Sequence, residues 1–317
     1  MEHVPVLEEA AVNALNVRAD GSYLDATFGR GGHARLVLDL LGPGGILIAL
    51  DADPEAIAFG QREFGDDPRL RLVRCNFREL GTVVRDLAPE GGVDGILMDL
   101  GVSSPQLDAP ERGFSFRHDG PLDMRLDPDA GISAADWLAE VDEARLVEVL
   151  FEFGEEKFSR RIARAIVEAR ESGPVRTTAA LAALIEKAVP AGAARASRIH
   201  PATRAFQAIR IAVNAELDAL DDALQAAIDS LAPGGRLVVI SFHSLEDRRV
   251  KQAIREASTA PPASRRMPSA PSFSPRLKAV GKLVRPNEQE ESINPRARSA
   301  RMRVAERLAD APVGGSA

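Results

Sequence analysis

Four short apolar runs fill the first hundred residues, and a stretch with helical spacing follows each of the first three. The runs are SYLDATF (22–28), GGILIALDAD (44–53), LRLVRC (70–75) and GILMDLG (95–101). Between them, HARLVLDLL, PEAIAFGQREF and RELGTVVRDL repeat apolar residues at helical intervals. Strands separated by helices cannot close as hairpins. They pair in parallel, with the helices crossing over on the faces of the sheet. The pattern predicts an α/β fold, a parallel sheet with helices on both faces, preceded by a short helix at EEAAVNALN (8–16).

The rhythm then stops. Residues 107–135 are rich in Pro, Gly, Asp and Arg, and from Ser133 to Asp229 every segment reads as helix. LAPGGRLVVISFHS restores the strand pattern, and LEDRRVKQAIREA reads as the helix after it. GKLVR and SARMRVAER read as two last strands, and the Pro/Ser-rich stretch 259–275 as a loop or partly disordered segment. The economical account is one α/β domain built from 1–106 and 212–317, interrupted by a mostly helical insertion over 107–211.

Composition narrows the function classes. With 45% apolar and 27% charged residues the chain is globular. A single cysteine, Cys75, excludes an internal disulfide, and no Cys/His cluster has zinc spacing. MEHVPVLEEA lacks the pattern of a signal peptide, and no apolar run approaches the roughly 18 residues of a membrane span. A cytoplasmic protein without metal or membrane partner is expected. The formal charge of −7 hides an asymmetry. Residues 248–307 hold 15 Lys/Arg against 5 Asp/Glu, a net of +10, whereas 1–247 hold 25 against 41, a net of −16. Either the C-terminal region meets a polyanion, or its cations balance the acidic body.

Ligands of open α/β sheets sit at the carboxyl ends of the strands. There the sequence places Gly29, Gly31, Gly32 and His33 after the first strand, Asp51 at the second, Asn76 and Phe77 after the third, and Asp99 at the fourth. An acid ending the second strand suits adenosine ribose hydroxyls. The turn decides between cofactors. A pyrophosphate wants free backbone amides and no nearby acid, but Asp25 immediately precedes this turn. S-adenosylmethionine (SAM) carries an ammonium and a sulfonium instead, so SAM is the expected cofactor and a nicotinamide dinucleotide the second choice. Phe77 is placed to lie against adenine, although a lone Phe of this kind more often fills core.

At DLGVSSPQLD (99–108) a family resemblance becomes specific. Together with HVPVL, DATFGRGGH, RGFSF, DGPLDMR, GEEKFSRRIARAI, HPATRAFQAIRI, LAPGGRLVVISFHSLEDR and NPRARSARMRVAER, it spans residues 3–307. The chain resembles the ribosomal RNA small subunit methyltransferase H family, the bacterial 16S rRNA (cytosine-N4) methyltransferases. The resemblance implies a Rossmann-like class I SAM-dependent methyltransferase fold with a helical insertion. It implies methylation of one cytidine in the decoding region of 16S rRNA within the small ribosomal subunit, with no DNA partner. It also implies cofactor contacts at Gly31, Gly32, His33, Asp51, Phe77, Asp99 and Gln106.

Cytosine N4 is a weak nucleophile, because its lone pair is delocalised into the ring, and an acceptor for its hydrogens would help. Asp99 is the first candidate for that catalytic role; Ser103, Ser104 and the carbonyl of Pro105 are rivals, because LGV follows Asp99 where other amino-methyltransferases carry Pro-Pro-aromatic. Phe114 or Phe116 is a candidate to stack the base. Methylation at cytosine C5 needs a covalent nucleophile, usually a cysteine, and Cys75 follows the third strand, not the fourth. Arg204, Gln207, Arg210 and Asn214 form one helical stripe that faces RNA, bridges the two domains or is simply solvated. Arg112, Arg117 and Arg125 lie near the expected base entry, and His243 either lines the pocket or caps the next helix. An NAD(P)-dependent oxidoreductase and a non-catalytic RNA-binding assembly factor are the competing functions.

Overall fold

The computed structural model describes residues 5–196, 199–260 and 273–309. In chain order the first elements are α1 (Glu8–Leu15), β1 (Ser22–Asp25), α2 (Gly32–Leu40), β2 (Ile46–Asp51), α3 (Pro54–Phe64), β3 (Leu70–Arg74), α4 (Leu80–Leu87) and β4 (Val93–Asp99). Next come α5 (Ser104–Asp108), α6 (Ala134–Glu140), α7 (Glu143–Glu152), α8 (Ser159–Glu171), α9 (Thr178–Ala188), α10 (Ala191–Ala196), α11 (Ala202–Asn214) and α12 (Glu216–Ser230). The chain closes with β5 (Leu231–Ser241), α13 (Ser244–Ser258), β6 (Leu277–Ala279), α14 (Glu288–Ile293) and β7 (Arg301–Arg307).

The seven strands form one sheet in the order β3-β2-β1-β4-β5-β7-β6. β1 to β5 run parallel, and β7 pairs antiparallel with both β5 and β6. This is the parallel sheet expected from the β-α alternation, and it has the Rossmann-like form that the family resemblance implies. The chain moves outward from β1 to β3, then returns to pair β4 against the other side of β1, so strand order reverses between β1 and β4. Such a switch point opens a crevice at the carboxyl ends of its two strands. Apolar clusters pack on each face of the sheet. One contains Ile48, Leu50, Ile96, Met98, Leu220, Leu224 and Val250; the other contains Val12, Tyr23, Leu47, Leu97, Val238 and Ile240. Alternate residues of one buried strand enter opposite clusters, which is why β2 and β4 read as continuous apolar runs.

The last strands differ from expectation. β6 is Leu277–Ala279, four residues before GKLVR, where Val284 makes only an isolated bridge to Met302. Gly281 (φ +70°) interrupts the extended run, and Leu277, 1% exposed, anchors the strand in the core. Most of the expected loop at 259–275 lies outside the described residues.

The chain folds as two compact units, 1–101 with 218–317, and 102–217. The second unit thus starts five residues earlier and ends six later than the 107–211 read from sequence. Val102 and Leu107 already pack in its core, and α11 belongs wholly to it through Phe206 and Ile209. The long helical run from Ala202 breaks at Ala215 (φ +47°), which separates α11 from α12.

Candidate active site

At the carboxyl ends of β1, β2 and β4 the first unit gathers three aspartates. Asp25 ends β1 and is 3% exposed. Its Oδ1 accepts a hydrogen bond from Thr27 N at 3.0 Å, while Oδ2 is buried without a partner. Burial, opposed by the Thr27 hydrogen bond and reinforced by the nearby charge of Asp51, pushes its pKa up to about 7. Asp99 ends β4, where its amide donates to Thr27 Oγ1 at 2.7 Å. Its Oδ1 is likewise buried and unpartnered, although 23% of the side chain is accessible. Burial first, then the charges of Asp25 and Glu246, raise its pKa well above the usual carboxylate range.

Asp51 is arranged differently. Its Oδ2 accepts from Gly29 N at 2.7 Å and its Oδ1 from Asp53 N at 2.9 Å. Burial still raises its pKa to about 6 against those hydrogen bonds. The capping of α3 falls to Asp53, whose side chain accepts from Glu55 N at 3.0 Å. Asp51 is therefore not a helix cap. It ties the glycine turn to the end of β2, and its remaining lone pairs are available to hydroxyl donors.

The turn itself needs its glycines. Gly29 (φ +56°) and Gly31 (φ +71°) are left-handed. A Cβ on Gly31 would lie 2.8 Å from the Phe28 and Phe64 rings, and one on Gly32 would lie 2.1 Å from Pro5 Cγ. The glycines are thus required by conformation and packing, whatever ligand approaches them. Gly31 is the residue before α2, whose first-turn amides have no intrahelical acceptors. His33, in that turn, is 5% exposed, and burial lowers its pKa to about 4. It is held neutral against a hydrogen bond with the Val6 backbone, and its Nδ1 lies 3.9 Å from Asp99 Oδ2. Phe77 follows β3 in a one-turn 3-10 helix, half-buried and packed on the core beside Cys75.

Sequence reading missed two members of this site. Thr27 bridges the ends of β1 and β4; its place two residues after Asp25, where a strand-end carboxylate bonds the next backbone amide, was the available signal. Glu246, 3% exposed, adds a fourth carboxylate beside Asp99. Its signal was the spacing H-x-x-E. Glu246 Oε2 accepts from Phe242 N at 2.8 Å and His243 N at 3.3 Å, and His243 caps α13 reciprocally. His243 is thus committed to the helix cap, the second of its two readings.

In the second unit, Gln106, an expected cofactor contact, accepts from Ser103 N through its Oε1 at 2.8 Å in the capping box of α5. Several expected RNA contacts there are otherwise engaged. Arg112 is 7% exposed and donates to the carbonyls of Arg125 and Leu126; Arg125 forks onto Asp123. Phe114 is buried, and Phe116 packs against the His200 and Phe206 rings at 4.6 and 4.9 Å. Of the α11 stripe, Gln207 donates to the Phe153 carbonyl, Arg210 pairs with Glu216, and Asn214 bonds the backbones of Met124 and Leu126. Those three side chains bridge parts of their own unit instead of presenting a solvated face. In the C-terminal region Arg249, Arg276, Arg301 and Arg303 are ion-paired with Asp221, Asp229 and Asp247, so much of that basic charge balances the acidic body.

The model of the MraW methylase family matches residues 1–308. Curated relatives carry the name ribosomal RNA small subunit methyltransferase H. That of Xylella fastidiosa (strain 9a5c) is 56% identical over 311 residues, covering 97% of this chain and 98% of the relative. Those of Xanthomonas euvesicatoria pv. vesicatoria (strain 85-10) and Stenotrophomonas maltophilia (strain K279a) are 56% and 55% identical, covering 96% and 98% of this chain and 89% and 94% of theirs.

Proposed function

The chain belongs to the MraW methylase family, a SAM-dependent methyltransferase by that membership, and we propose that it methylates the exocyclic N4 of one cytidine in the decoding region of 16S rRNA. The substrate is taken as the RNA within the small ribosomal subunit, in the cytoplasm. No described helix is long and apolar enough to cross a membrane.

The site fits the cofactor on its own terms. Buried polar atoms without partners are uncommon and call for an explanation. Asp25 Oδ2 and Asp99 Oδ1 are two such atoms, and the charge of Asp25 acts on Asp99. Both are carboxylate oxygens, the chemistry that a cationic ligand satisfies. In this reading Asp25 receives the ammonium and Asp51 the ribose hydroxyls, while Phe77 lies against adenine. The turn Gly31–Gly32–His33 brings backbone close to the amino-acid end, and the family resemblance adds Gln106. When bound, SAM supplies a methyl group activated by its sulfonium.

Asp99 carries the proposal. Its partly accessible, strongly desolvated carboxyl lies at the switch point, with one oxygen unsatisfied. Asp25 and Asp99 would lose their protons as positive charge arrives beside them, since opposite charge favours the carboxylate. Asp99 would then accept a hydrogen bond from the N4 amino group, localise its lone pair for in-line attack, and take the proton that leaves as the N–C bond forms. Cys75 favours the same chemistry from the other side. Burial, then the charges of Glu79 and Asp51, push its thiol up to about 11, so it is a poor covalent nucleophile for attack at C5.

Tritiated methyl transfer to naked 16S rRNA and to isolated small subunits, followed by nucleoside analysis, tests the reading. N4-methylcytidine supports it; label on another nucleoside, or in neither substrate, refutes it.

A further inference from the structure

The motif GEEKFSRRIARAI leads into α8, and its cations have no role in the site above. Ser159, Ile162, Ala163 and Ile166 bury one face of α8. Arg160, Arg161 and Arg164 are exposed on the opposite face, and Lys157 is exposed just before the first turn. None of the four side chains forms an ion pair or hydrogen bond within the described residues. That separates them from Arg249, Arg276, Arg301 and Arg303, which are neutralised internally.

Their placement is unfavourable for the helix itself. The macrodipole favours acids in the first turn and bases in the last. The first turn of α8 has no acid, and Glu168 and Glu171 stand toward its other end. The Arg164 to Glu168 order is also the weaker orientation for an i,i+4 pair. Glu156 at the helix entry is buried and accepts from Phe158 N, so it does not pair with the exposed cations. Four cations held together without an ion-pair partner are explained by an external polyanion. Arg204 extends the group. It is exposed, and it is the one member of the α11 stripe without an internal partner among the described residues. A Cβ on Gly154 would lie 2.8 Å from the Arg204 carbonyl oxygen, so the turn before α8 runs directly against α11 there.

We infer that Lys157, Arg160, Arg161 and Arg164, flanked by Arg204, form a phosphate-binding face of the second unit that docks the ribosomal RNA backbone. The inference rests on the rRNA reading above and names the surface that reading lacks. Such a face positions the RNA without reading its sequence.

The test replaces Lys157, Arg160, Arg161 and Arg164 together with glutamine, which preserves helix propensity. A second variant replaces Arg276 and Lys278. Binding to a 16S rRNA transcript and to small subunits is titrated against salt, with SAM affinity and thermal melting measured on each protein. Each phosphate of single-stranded RNA that is no longer neutralised lowers the log–log salt slope by about 0.7, so the fourfold variant should lose up to about 3. Its KM for RNA should rise by roughly ten-fold or more, with saturated turnover and SAM affinity kept. The Arg276/Lys278 variant should change the slope far less. A folded fourfold variant with wild-type slope and affinity overturns the inference while leaving the methyltransferase reading intact. A wild-type protein that neither binds nor methylates rRNA overturns both. Single Arg161→Gln and Arg164→Gln proteins, each expected to lose part of the slope, serve if the fourfold variant does not fold.

Discussion

The Oδ2 atom of Asp51 accepts a hydrogen bond from the Gly29 amide at 2.7 Å, fastening the glycine turn after β1 to the carboxyl end of β2. One carboxylate thereby shapes the turn and, in the proposed reading, receives the ribose hydroxyls.

Asp51→Ala should weaken SAM binding by about one to two decades, the loss of charge-assisted hydrogen bonds worth roughly 1.5–3 kcal/mol. Because the amides of Gly29 and Asp53 lose their acceptor too, the variant should also melt lower. Titration calorimetry on the folded variant checks the first effect and thermal denaturation the second. Unchanged SAM affinity removes Asp51 from the cofactor site.

Asp25 predicts an unusual dependence on pH. Its folded-state pKa of about 7 lies above the value of about 3.9 expected unfolded, so folding favours the protonated form. That stabilisation is fully present below about pH 4 and is lost as pH rises toward 7, on the order of 4 kcal/mol in all. Asp25→Asn, which cannot ionise, should show no such loss. The melting temperature of cofactor-free wild type should therefore fall relative to Asp25→Asn between those limits. SAM should reverse the trend, binding more tightly as pH rises through Asp51 and Asp25. A constant gap between the two proteins across this range would refute the assignment.

Gly31 and Gly131 separate strain from crowding. Both are left-handed, at φ +71° and +69°, but a Cβ on Gly31 meets two aromatic rings while one on Gly131 meets nothing within 4 Å. Gly131→Ala should cost about 1–2 kcal/mol, the ordinary penalty of a left-handed non-glycine residue. Gly31→Ala should cost more, by about 1–3 kcal/mol of overpacking. Denaturant titration decides, and equal losses would show that the Phe28 and Phe64 rings give way freely.

The parallel sheet and the strand-end acids were legible because both follow from local pattern. A buried strand is a continuous apolar run, and the residue that ends it faces the crevice. Less legible was whatever depended on a partner distant in sequence. Thr27 joins Asp99 across 72 residues, and Asn214 reaches the backbone of Leu126 across 88. The α11 stripe looked like an exposed face because helical periodicity records which residues share a side, not what covers it. The C-terminal charge excess left two readings open for the same reason, since Asp221, Asp229 and Asp247, which pair with its arginines, lie outside or at the edge of the basic segment. The break at Ala215 had no signal, because alanine is the strongest helix former and does not favour the left-handed region.

Asp99 is where the account is most exposed to test. Single-turnover methyl transfer at saturating SAM, measured with the SAM dissociation constant for wild type and Asp99→Asn, separates its two assigned roles. If Asp99 accepts the N4 proton, transfer should fall by about 10²–10⁴-fold while SAM affinity changes far less. Normal transfer at saturation, with only SAM binding weakened, would make Asp99 a cofactor ligand alone and contradict the mechanism.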